Sequence, residues 1–60
     1  MKFKDLLETL DGKENIELHV DSLQLHFTAQ NTKEEYKERE IEKIRIDSQI
    51  YLGIKIYLKN

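Results

Sequence analysis

The stretch Ile16-Glu17-Leu18-His19-Val20-Asp21-Ser22-Leu23-Gln24-Leu25-His26-Phe27-Thr28 alternates apolar and polar residues on either side of a single Asp-Ser pair. A period of two is the mark of a strand buried on one face. A two-residue loop at Asp21-Ser22 sets Val20 against Leu23, Leu18 against Leu25 and Ile16 against Phe27. Every facing pair is then apolar, and a slip of one residue would turn each of them to solvent. The stretch therefore predicts a β-hairpin. Asp-Ser is a weak match to the glycine-containing pairs that favour type I′ turns, so the hairpin is better specified than its loop.

Upstream of this hairpin the period changes. Phe3, Leu6, Leu7 and Leu10 recur at helical spacing, with Lys2, Lys4, Asp5, Glu8 and Thr9 on the other face. A first helix is expected at about residues 2–10, ended by Gly12 in the left-handed conformation. Downstream, Thr32 and Glu35 have the spacing of a capping box ahead of Tyr36, which predicts a short charged helix over 33–39 anchored by Tyr36. A second hairpin follows. Ile44 and Ile46 alternate with Lys43 and Arg45; Ile50, Leu52, Ile54, Ile56 and Leu58 alternate with Tyr51, Gly53, Lys55 and Tyr57. A three-residue loop, Asp47-Ser48-Gln49, pairs Ile46 with Ile50 and Ile44 with Leu52 and passes the same face test, whereas a two-residue loop sets Ile46 against Gln49 and fails it.

The expected order is α-β-β-α-β-β: an α+β fold, with a four-stranded, mostly antiparallel sheet, helix 1 on its apolar face and a short second helix. Sixty residues make one domain of modest stability. No cysteine is present, which removes thiolate chemistry and suits a reducing, cytoplasmic setting. No apolar run approaches a membrane span, and the net charge of −2 argues against bulk attraction to nucleic acid or anionic lipid. The charge is uneven, however. Residues 1–30 carry three Lys and six acidic residues, and residues 31–60 carry seven Lys or Arg and six acidic residues.

In the expected register Lys43, Arg45, Tyr51, Lys55 and Tyr57 project together from the outward face of the second hairpin, with Arg45 across from Tyr51 and Gly53 opposite Lys43. Cations among exposed aromatics suit contact with a partner protein, where Tyr and Arg are favoured anchors. They also suit stacking on a base beside a phosphate, and they are equally ordinary on a solvated strand. His19 and His26 share the outward face of the first hairpin, with Glu17 directly opposite His26. Two imidazoles and a carboxylate are ligand types for a divalent ion, yet no fixed-spacing motif and no fourth ligand accompany them, so neither a metal nor another cofactor is expected. Histidine as a residue type titrates near neutrality, which leaves a pH-sensitive contact open. Ile54, Ile56 and Leu58 outnumber the apolar partners that the third strand supplies, so they are covered either inside the chain or at the seam of a homo-oligomer. The acidic set Glu34, Glu35, Glu38 and Glu40 fills a solvated helix face or mimics phosphate to a basic partner. No nucleophile grouping, phosphate-binding glycine loop or paired-carboxylate motif is present, which argues against an enzyme.

The opening Lys2-Phe3-Lys4-Asp5-Leu6-Leu7-Glu8-Thr9-Leu10-Asp11-Gly12, then Asn15-Ile16-Glu17-Leu18-His19-Val20, and later Glu35-Tyr36-Lys37-Glu38-Arg39-Glu40-Ile41-Glu42-Lys43-Ile44-Arg45-Ile46, resemble short uncharacterised proteins of phages and prophages of Gram-positive bacteria. The resemblance spans most of the chain and rests on general pattern. It implies a small binder that blocks a host protein, including one of a defence system, or one that sequesters a signalling molecule. Sequence thus leaves three function classes: an inhibitory interaction protein acting on a host protein in the host cytoplasm, a nucleotide- or nucleic-acid-binding module, and a structural or assembly subunit.

Overall fold

The computed structural model describes residues 1–47 and 53–59. Strands β1 (Asn15–Val20) and β2 (Leu23–Thr28) form the first hairpin in the expected register, with Ile16 opposite Phe27, Leu18 opposite Leu25 and Val20 opposite Leu23. Asp21 and Ser22 both take positive φ, 49° and 67°, so the loop has the I′ conformation despite lacking glycine. That arrangement matches the right-handed twist of the strands, and the hairpin register outweighs the cost of two non-glycine residues there.

Strands β3 (Ile41–Asp47) and β4 (Gly53–Leu58) form the second hairpin. Its register corrects the expectation. Ile46 pairs with Ile54 and Ile44 with Ile56, four residues further along than Ile50 and Leu52, and Asp47 pairs with Gly53 rather than opening a three-residue loop. Residues 48–52, which the sequence places in that loop and the start of the last strand, lie outside the described residues. The displacement has a physical reason. β4 also pairs in parallel with β1, Ile16 with Ile54 and Leu18 with Ile56, and this docks its C-terminal half onto the core. A slip of four is even, so the apolar and polar faces of β4 stay as the alternation assigned them.

The sheet order is β2-β1-β4-β3: two antiparallel hairpins joined by a central parallel pair. One face carries the core, made by Phe3, Ile16, Leu18, Val20, Ala29, Ile56 and Leu58, with Leu6, Leu7, Leu10, Tyr36 and Ile54 packed around it. Helix α1 (Phe3–Leu7) is shorter than 2–10 and lies on this face. A helix of that length is held by its packing, not by propensity. Gly12 does not take the left-handed conformation expected of a helix stop. It lies instead against the 3₁₀ turn Ala29–Asn31, where Gln30 N donates to Gly12 O at 2.9 Å and an added Cβ would sit 3.2 Å from Gln30 Cβ.

Helix α2 (Glu34–Lys37) is also shorter than expected, and Thr32 does not cap it. The Thr32 hydroxyl donates to Ala29 O at 2.8 Å, because the 3₁₀ turn just before it offers a nearer acceptor. Lys2 and Lys4 both pair with Glu38, which ties the two helices together. No helix among the described residues is long and apolar enough to cross a membrane.

Candidate functional site: the outward face of the sheet

Both helices and the core occupy one side of the sheet, and the other side is a polar surface drawn from all four strands. Registers across the three strand pairs line these residues up in two rows. One row reads His26, Glu17, Lys55, Arg45; the next reads Gln24, His19, Tyr57, Lys43. Each is a consequence of strand alternation, since the core-facing neighbours of these residues are apolar.

Glu17 is the buried member, at 8% exposure. Its Oε2 lies 2.7 Å from His19 Nε2, and its Oε1 is 3.2 Å from His26 Nε2 and 3.3 Å from Gln24 Nε2. Lys55 Nζ stands 3.9 Å from Oε2. A carboxylate only accepts, so the short contact places a proton on His19 Nε2. The His19 hydrogen bond holds the Glu17 carboxyl below its ordinary range; burial opposes this, and Lys55 and the two histidines reinforce it. Each imidazole turns a nitrogen toward the carboxylate. Among the described residues no three His, Cys, Asp or Glu side chains are disposed to hold a metal ion.

Tyr57 organises the second row. His19 stacks on its ring at 4.4 Å between centroids and 16° between planes, from the β1 side. Lys43 Nζ lies 4.5 Å from the ring centroid, from the β3 side. The ring is thus flanked by an imidazole and an ammonium, and a base could stack on it only by displacing one of them. At the end of this row an open hollow of about 290 Å³ is bordered by His19, Gln24, Glu42, Tyr57 and the Asp21-Ser22 turn. Its size is at the lower limit of about 300–1,000 Å³ for small-molecule sites.

The residues expected to form one face are therefore largely together. Lys43, Arg45, Lys55 and Tyr57 make a block two strands wide, and Tyr51 lies outside the described residues. The four-residue displacement changes their neighbours. Arg45 faces Lys55 rather than Tyr51, Lys43 faces Tyr57 rather than Gly53, and Gly53 faces Asp47. The contribution of Glu17 and His19 to this block was hidden in the sequence, because it depends on β1 lying beside β4, a long-range pairing that no local pattern encodes. On the opposite side, Ile56 and Leu58 are buried in the core at 0% and 4% exposure and Ile54 is half-buried, so they offer little surface to a second chain. Among the described strand residues, the exposed apolar ones on that side are Leu23 of β2, at 52%, and Ile44 and Ile46 of β3, at 40% and 76%.

No protein-family model, no curated protein and no solved structure matches the chain.

Proposed function

We propose that this chain is a non-enzymatic interaction protein whose outward sheet face docks onto an acidic surface of another protein and blocks it. One observation carries the reading: Arg45 stands directly across from Lys55, with Lys43 next to Arg45 on the same face. Like charges directly opposite each other destabilise a sheet. Glu17 lies near Lys55, but among the described residues Arg45 and Lys43 have no carboxylate partner. A surface that gathers cations at a cost to its own stability is explained by an anionic partner. Flanking of Tyr57 by His19 and Lys43 favours a protein over a nucleotide as that partner, because it leaves no ring face open for a base. The resemblance to phage and prophage proteins supplies the context, a protein of the bacterial host, and a defence protein is one such target.

The test is affinity capture from a Gram-positive lysate with the wild-type chain and with a Lys43→Glu, Arg45→Glu double variant, with captured proteins identified by mass spectrometry. The expected result is a discrete acidic partner retained by the wild type and lost by the double variant, whose circular dichroism is unchanged. Equal capture by both would overturn the reading. Titration with mononucleotides and oligonucleotides at low salt separates the alternative: tight, salt-sensitive binding there would assign the face to nucleic acid.

A further inference from the structure

Beyond Ile41 the outer edge of β3 pairs with no other strand among the described residues, while Met1 and Lys2 cover its start through the bond from Ile41 N to Met1 O and the bridge between Lys2 and Glu40. An unpaired edge is a template for an added strand. Its side chains specify what that strand would be. Lys43 and Arg45 rise on the outward face, and Ile44 and Ile46 on the core face, where Ile46 is 76% exposed because the core and α1 lie against the central strands. Cross-strand neighbours on one face interact directly, so a complementary strand carries carboxylates opposite Lys43 and Arg45 and apolar side chains opposite Ile44 and Ile46.

We infer that β3 binds an extended partner segment in which acidic and apolar residues alternate, adding it as a fifth strand. This deepens the proposed function and rests on it, since it names how the acidic partner is held. Antiparallel pairing of β3 with itself sets cation against cation when centred on Lys43 or Ile44, but opposes Asp47 to Lys43 or Arg45 when centred on Arg45 or Ile46. Exchange within β3 that slows with the chain's own concentration would therefore overturn the inference in favour of a second copy. The other edge, β2, presents Gln24 and His26 outward, and neither is a carboxylate. The outward cations Lys43 and Arg45 favour an acidic strand over a basic one.

The probe is a capped ten-residue peptide of alternating valine and glutamate, titrated into the full chain at low salt and followed by NMR amide exchange. Binding should slow exchange of main-chain amides within β3 by about tenfold or more. Ile46→Thr, at an exposed position, should weaken binding by roughly tenfold, a loss of about 1.4 kcal/mol, without changing the fold. The valine–lysine counterpart should not bind. Absence of binding, binding that leaves β3 exchange unchanged, or equal binding of the lysine peptide would overturn the inference. The Ile46→Thr and Arg45→Glu variants separate it from the broader reading. If only Arg45→Glu weakens binding, the basic face stands and the added strand falls; if neither does, both fall.

Discussion

Glu17 occupies an outward strand position, where alternation leads one to expect a solvated carboxylate, and yet it is 8% exposed. Its burial comes from neighbours contributed by three strands: His19 from its own, Gln24 and His26 from β2, and Lys55 from β4. A carboxyl held below its ordinary range stabilises the fold above the unfolded value, about 4.3 for glutamate, and loses that contribution as pH falls through the lower folded value. Acidification from pH 6 should therefore lower the urea midpoint of the wild type below about pH 4.3, with a smaller drop in Glu17→Gln. At pH 6 the same substitution should cost about 1–2 kcal/mol, because an ionised acceptor of several donors is replaced by a neutral amide. A midpoint unaffected by Glu17→Gln at pH 6 would show that the cluster is a surface contact. The alternating pattern identifies the face on which Glu17 lies but not its depth, since depth depends on which strands flank it.

Among the elements, one residue links three separate parts of the chain. Arg39, just after α2, donates from both terminal nitrogens to the Asp21 carboxylate at 3.1 Å and from Nη2 to Lys59 O at 2.7 Å, while Phe3 N donates to its carbonyl. It thereby joins the β1–β2 turn, the end of β4 and the start of α1. The guanidinium hydrogen bonds hold the Asp21 carboxyl below its ordinary range, so this tie too weakens as the solution is acidified. Arg39→Lys should lower the thermal midpoint, because a point charge cannot reproduce the two-pronged contact. Asp21→Asn added to Arg39→Ala should bring little further loss, and full additivity would contradict a shared contact. Nothing local in the sequence announces this role: Arg39 reads as one charge in a charged run, and its partners lie 18 and 20 residues away. The first hairpin was legible because two residues separate its strands and a single register satisfies both faces. The second was not, because Ile50, Leu52, Ile54, Ile56 and Leu58 supply an apolar partner at every even slip. Alternation fixes the face of such a strand and leaves its position along the partner to tertiary packing. Both helices end short of the spans expected from the sequence; α1 starts with the Asp5 carboxylate accepting from Lys2 N at 3.3 Å, whereas α2 starts with no side-chain cap.

Across the whole molecule, the described residues divide into a covered face and an open one. The core gathers under α1 and the central parallel pair, and the opposite face holds the two polar rows and ends at an unpaired β3. Lys43, Arg45, Lys55 and Tyr57 could be assigned to one surface from the sequence because that assignment needs only a period of two. Their arrangement around Glu17 and His19 required the placement of β1 beside β4. In the proposed function this open face, together with its β3 edge, is where a partner protein binds. Chemical-shift mapping of the isotope-labelled chain against a partner captured by it tests this most directly. Shifted amides should cluster at residues 17, 19, 43–46, 55 and 57, with α1 and α2 unchanged. Shifts centred on α1 and α2, with these strand positions silent, would contradict it.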